Sequence, residues 1–115
     1  MGIRLYKIYR LILEITSVPL AFLLYLMFLT GYGLVKSYAV ERVTLGLLDY
    51  VTCIQIHTSL IIRVALLILA MIHGLAGFQL MALRIKNKYM RLSFKVALWL
   101  VTIVILLQIL LIELT

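Results

Sequence analysis

The chain has 115 residues, 66% of them hydrophobic, 13% charged, and a formal net charge of +7, with a mean hydropathy of +1.22. That much apolar side chain cannot be covered by the polar surface of a soluble domain of this length, so lipid or partner helices must solvate most of it. The single cysteine, Cys53, excludes an internal disulfide and a cysteine-rich zinc site. Because the basic residues fall at the ends of apolar runs, the positive charge points to membrane topology and anionic headgroups, not to nucleic acid.

The first apolar run, Leu11 to Val35, has about the length a helix needs to cross a hydrocarbon core of roughly 30 Å. No short hydrophobic stretch with a small-residue cleavage site and no Arg/Ser-rich transit segment is recognised, so this run is expected to be a retained span. Pro19 sits about two turns inside it and should loosen its backbone bonding. Lys36 to Asp49 reads as a loop with an amphipathic turn. The second run, about 51–83, exceeds one crossing and is expected to tilt or to project from the lipid. A dense basic loop follows, Arg84 to Arg91, and the third run covers 92–114. The predicted fold is an all-α membrane domain over 1–115 with three transmembrane helices, part of a larger helical bundle.

Orientation follows from the cations. Arg4, Lys7 and Arg10 precede the first run, and Arg84, Lys86, Lys88, Arg91 and Lys95 surround the second loop. The first loop has only Lys36 and Arg42, offset by Glu41 and Asp49. The positive-inside rule predicts the N-terminus and second loop inside, the first loop and C-terminus outside.

Ionisable groups within spans are costly and point to function. Glu14, His57, Arg63 and His73 are the four. His73 lies about 16 Å from the inner end of its predicted helix, beside Gly74 and within one turn of Ala70, Ala76 and Gly77. A porphyrin with its iron about 2 Å from an imidazole nitrogen must lie almost against the helix, and small neighbours permit that approach; the pattern fits a haem axial ligand, the opposite ligand coming from another helix. Ordinary small-residue packing, with His73 hydrogen-bonded across a helix interface, fits the same residues. His57 is sixteen residues earlier, which on one helix is a rise of about 24 Å and a rotation of about 160°, so the two cannot share an iron from that helix. It is read either as the ligand of a second site or as an interfacial histidine; with Cys53 one turn away it supplies two metal ligands, too few for a site. Arg63, predicted near mid-span, needs an anionic partner such as a haem propionate, a partner carboxylate or a lipid phosphate; alternatively the excess length of the run places it closer to the outer surface. Glu14 is one turn after Arg10 and pairs with it by spacing; with Thr16 and Ser17 it alternatively lines a pocket for a quinone head group. Tyr25, Tyr32, Tyr38, Tyr50, Tyr89 and Trp99 are placed as an interfacial aromatic belt.

Three spans in this length, with His73-Gly-Leu-Ala-Gly77 late in the second and Thr16-Ser17-Val18 leading into Ala21-Phe-Leu-Leu-Tyr25 in the first, resemble the membrane-anchor subunits of succinate dehydrogenase and fumarate reductase. The resemblance implies a non-catalytic subunit that binds haem b through His73. It would pair with a second membrane anchor and dock an iron–sulfur subunit and a flavoprotein subunit. Its membrane would be energy-transducing: a bacterial or archaeal plasma membrane, or the mitochondrial inner membrane. Quinone would react near the inner face. The Asp-Tyr pair many such anchors carry about three turns after the histidine is replaced here by Arg84-Ile85, with Tyr89 the nearest tyrosine beyond. The first-span histidine of some diheme anchors is absent, Met27 and Phe28 standing in that region. The quinone residues Ser17, Glu14 and Tyr89 are therefore read from the chain alone. Rival readings are a different small cytochrome b subunit using both histidines, a cofactor-free assembly subunit, and a small Glu14-dependent transporter. No phosphate loop, nucleotide fingerprint or Ser/His/Asp arrangement is present.

Overall fold

The computed structural model describes residues 2–115, which form five helices and, among those residues, no strand. Helix α1 spans Gly2–Val35. Its 34 residues make about 51 Å at 1.5 Å each, so the helix begins nine residues before the predicted apolar run and takes in Arg4, Lys7 and Arg10. Pro19 lies within α1, where it has no N–H to offer the carbonyl of Ile15. The helix continues through it to Val35, with Leu20 and Ala21, both good helix formers, directly after the proline.

The expected amphipathic turn is α2, Ser37–Val43. It ends in a left-handed corner at Leu45 (φ 56°) and Gly46 (φ 83°). The Gly46 N–H turns back to the Glu41 carbonyl at 2.8 Å, satisfying a helix-end acceptor in the manner of a glycine C-cap. Asp49 then caps α3, Tyr50–His57, its carboxylate accepting from the Thr52 N–H at 2.7 Å.

The second apolar run is not one helix. It breaks at Thr58–Ser59 into α3 and α4, Leu60–Leu83, without proline or glycine at the break. Local side-chain and short-range bonds explain it. Thr58 Oγ1 donates to Ile54 O at 2.7 Å, the Ser59 N–H closes a tight turn on Ile56 O at 3.2 Å, and Arg63 Nη1 donates to Thr58 O at 2.9 Å. At 24 residues, α4 is about 36 Å long, close to one crossing. The excess length that predicted a tilted or projecting span is taken up by a separate helix.

Helix α5 covers Lys88–Leu114, capped by Asn87, whose side chain accepts from the N–H groups of Tyr89 and Met90 at 2.9 and 3.3 Å. The basic loop thus shortens to Arg84–Asn87, and Lys88, Arg91 and Lys95 belong to the first turns of α5. Three helices, α1, α4 and α5, are long and apolar enough to cross a membrane. Most of their large apolar side chains face outward, from Ile3 and Val18 to Ile61 and Leu114. In water such surface costs about 25 cal/mol per Å², so a bilayer is the solvent this surface fits.

The chain divides into two compact units, residues 12–74 and residues 2–11 with 75–115. In the first, α1 runs antiparallel to the α3–α4 pair, since Thr16 meets His73 and Thr30 meets His57. The second contains the last nine residues of α4 and all of α5, where Phe78 and Phe94 approach with ring centroids 6.3 Å apart.

Candidate functional site

Both histidines of the chain sit in the same local arrangement. On α1, Thr16 and Thr30 are buried and fourteen residues apart, about 3.9 turns, which puts them on one helical face. Each hydroxyl is placed to donate to a carbonyl one turn back in its own helix: Thr16 to Ile12 O at 2.7 Å and Thr30 to Leu26 O at 2.8 Å. A threonine has one hydroxyl proton, which either that carbonyl or the imidazole nitrogen can take.

The same oxygens lie 2.8 Å from His73 Nδ1 and 3.1 Å from His57 Nδ1. With the proton on the carbonyl, the threonine oxygen accepts from an Nδ1–H and the lone pair is left on Nε2; with the proton on the imidazole, Nδ1 accepts and Nε2 carries the ring's proton. No buried side-chain nitrogen or oxygen among the described residues lacks a partner. Neither Nε2 is bonded to another described residue. An imidazole whose second nitrogen is fixed by a neighbouring group is the form in which histidine serves as a metal ligand.

The surroundings of the two rings differ. His57 is pressed against α1: a Cβ built on Gly31 would stand 3.1 Å from its Cε1. Two residues on, a Cβ on Gly33 would overlap Cys53 Sγ and stand 2.8 Å from Cys53 Cβ. Only glycine lets α1 and α3 approach this closely. Beside His57 opens a cleft of about 400 Å³ lined by Met27, Phe28, Gly31, Tyr32, Val35 and His57. At His73, by contrast, a Cβ on the neighbouring Gly74 would meet nothing within 4 Å, and Ala70, one turn earlier, is exposed. Gly77 is partly exposed.

The remaining sequence-predicted residues are scattered. Arg63 is not near mid-span: it lies in the first turn of α4, where its guanidinium reaches back to the Thr58 carbonyl, about 15 Å along the helix from His73. The mid-span position assumed a helix starting near Val51, and the break moves the start to Leu60. Glu14 is exposed and, like Arg63, is not without a partner. Ser17 is also exposed, its hydroxyl donating to Leu13 O. Tyr89 is exposed in the first turn of α5. Among the described residues, no three of the types His, Cys, Asp and Glu come together as a metal site. The 160° rotation between the histidines, derived for one continuous helix, does not apply to residues on two helices.

The threonine partners are the part of the site that residue types alone did not single out. Their signal was present in the spacing. Pairs 16–73 and 30–57 have nearly constant index sums, 89 and 87, as an antiparallel pairing of two helices requires.

No family model, curated protein or solved structure matches the chain.

Proposed function

We propose that this chain is the haem b-binding membrane anchor of a succinate:quinone oxidoreductase-type complex, with His73 Nε2 as one axial ligand. The observation that carries the reading is the Thr16–His73 bond: with the proton on Nδ1 it would hold the ring in place and leave Nε2 to take the iron. The donor set fits a haem better than a bare metal ion. A porphyrin brings four nitrogens of its own and asks one imidazole of each flanking helix, whereas a zinc or copper ion would need three or four ligands from the protein. The open space over Gly74 and the exposed Ala70 leave room for a flat macrocycle close to α4.

When bound, the haem supplies one-electron transfer within the membrane. The chain's own residues contribute three things. Thr16 orients the His73 ring and holds its Nδ1 proton, which tunes the basicity of Nε2. The apolar outer faces of α1, α4 and α5 hold the site in the bilayer. The cations Arg84, Lys86, Lys88, Arg91 and Lys95 would form the inside docking surface for an iron–sulfur subunit and its flavoprotein, with quinone reacting nearby. The second axial ligand would come from a second anchor subunit.

A reduced-minus-oxidised visible spectrum of the natively purified complex, wild type against His73→Ala, tests the reading. Loss of the b-type bands in the variant, with the chain still incorporated, is the expected result; bands unchanged in His73→Ala would overturn it.

A second reading has one specific observation behind it, the recurrence of the same threonine–histidine bond at Thr30–His57. A bond used twice along one interface is what helix-to-helix locking alone would use, as in a cofactor-free assembly subunit. That reading expects no haem bands in the wild-type complex.

A further inference from the structure

We infer that α5 pairs side by side with α5 of a second copy of this chain, along a seam centred on Gln108. The inference goes beyond the proposed function and does not rest on haem binding at His73.

Helix α5 has two distinct faces. Toward α4 it presents Phe94, in ring contact with Phe78, and at intervals of one turn the half-buried Leu98 and the buried Thr102. Thr102 is satisfied within its own helix, its hydroxyl donating to Leu98 O at 2.8 Å. About a third of a turn around the axis, Ser93, Ala97, Val101, Val104, Gln108 and Leu111 form a second line, and all six are exposed. From Ala97 to Leu111 their intervals alternate between four residues and three, the spacing by which two membrane helices pack in a left-handed pair. The side chains from Ser93 to Val104 are narrow enough for two helix backbones to come close.

Gln108 is the residue that asks for a partner. It lies thirteen residues beyond Lys95, the last cation of the helix, or about 20 Å along the axis. That is well inside a hydrocarbon core of roughly 30 Å. Its carboxamide makes no hydrogen bond to another described residue, and lipid tails offer none.

The chemistry of the group selects the partner. A carboxamide donates through its NH₂ and accepts through its oxygen, so it is its own complement. Copies of one chain insert with the same orientation, and a two-fold axis along the membrane normal then sets α5 parallel to α5 in a self-complementary contact. Gln108 of each copy stands opposite Gln108 of the other, each amide donating once and accepting once. Ala97, Val101, Val104 and Leu111 interleave along the rest of the seam. A single polar residue in such a seam also fixes its register. A carboxylate or an ammonium group on some other helix would answer only half of the amide, and an apolar helix none of it.

The test uses the full chain in liposomes, with donor-tagged and acceptor-tagged copies for energy transfer and with single cysteines added along α5. Energy transfer should rise with chain density in the bilayer and fall when untagged chain is added. Oxidation should join copies through Val104→Cys and Leu111→Cys, and should not join them through Leu106→Cys or Leu110→Cys, which are exposed but off the seam. The native Cys53 is buried and should give no cross-link of its own. Gln108→Leu should weaken association roughly tenfold, the scale of hydrogen bonding between membrane helices, and Gln108→Asn, which keeps the carboxamide, should retain most of it. Both changes lie on the outward face and leave the contact with α4 intact. Energy transfer no greater than random collision would overturn the inference, and so would equal cross-linking on and off the seam. Association unchanged by Gln108→Leu would overturn it as well, because the copies would then meet without the amide.

Discussion

The two histidines share one device and differ in what surrounds it. At His57 the threonine bond is backed by a tight seat, with Gly31 under the ring and Gly33 against Cys53. At His73 the same bond stands beside open space at Gly74. If both bonds served only to lock helices, both would be expected in close-packed seats, since transmembrane association depends on small residues and backbone approach. The seat at His57 meets that description. At His73 only the side of Gly74 is open, and under the proposed function that is where a large flat ligand would lie. Identical polar contacts thus stand in different packing.

The largest effect that would break this contrast is on haem content. His73→Ala is expected to abolish it, and His57→Phe to leave it unchanged, as measured by pyridine haemochrome content per chain in the purified complex. Loss of half the haem in each variant would mean the two sites are equivalent. The glycines come next. Gly33→Ala forces a Cβ onto Cys53 and should destabilise the chain by about 1–3 kcal/mol, the usual cost of overpacking. Gly74→Ala enters open space and should instead stabilise the isolated helix bundle by about 0.5–1 kcal/mol, through lower backbone entropy in the unfolded state. Unfolding in mixed micelles of rising SDS fraction measures both. A similar loss in the two variants would remove the distinction between a closed and an open seat.

How far this contrast could be read from residues alone depends on the kind of signal. The three long helices were legible because runs of Leu, Ile and Val of crossing length leave no other solvent for their side chains; the caps Asn87 and Asp49, which start α5 and α3, had been read only as loop residues. The break at Thr58–Ser59 was not legible. It has neither of the residues that usually mark one, and depends on a threonine hydroxyl and an arginine side chain bonding to backbone carbonyls. That omission carried Arg63 to mid-span and tied His57 to His73 on one helix. Gly31 and Gly33 stand at the end of the first apolar run, and their role as the seat of α3 emerges only once the chain folds back. Thr16 was visible as a polar residue in a span, but its bond to a histidine fifty-seven positions away is a tertiary fact. The haem, quinone and partner assignments rest on His73, its small neighbours and the resemblance those residues carry.

Smaller effects sharpen the comparison further. Thr16→Val and Thr30→Val each remove one hydroxyl while keeping the side-chain shape. Each should cost about 0.6 kcal/mol, and no more than about 1.7, the range for single hydrogen bonds between membrane helices. Stability will therefore hardly separate them, but the haem will. Thr16→Val frees the His73 ring and should shift the haem reduction potential, whereas Thr30→Val should leave that potential where it is. A shift of equal size in both would show that the potential responds to helix packing and not to the proton on Nδ1.

The smallest expected effect concerns acid, and it reaches only one of the two seats. Helix α3, which carries His57, starts from the Asp49 carboxylate, and bonding to the Thr52 N–H holds that carboxyl below its usual value of 3.8. A carboxyl with a depressed folded-state pKa adds stability that is present above the unfolded value and disappears as the pH falls through the folded one. Between pH 7 and about 5 the cap should therefore be constant, and below about 4 it should weaken. Helix α5 starts from Asn87, which does not titrate, and serves as the internal control. Amide exchange at Thr52, normalised for intrinsic rate, should accelerate relative to Tyr89 and Met90 as the pH drops from 5 to 3, and Asp49→Asn should flatten that response. Because Asp49 is fully exposed, the effect should stay at the first turn of α3 and leave the His57 Nδ1 signal in place. Loss of that signal in step with the Thr52 acceleration would mean that the seat at His57 depends on its cap, and is less tightly built than the contact between Gly33 and Cys53 requires.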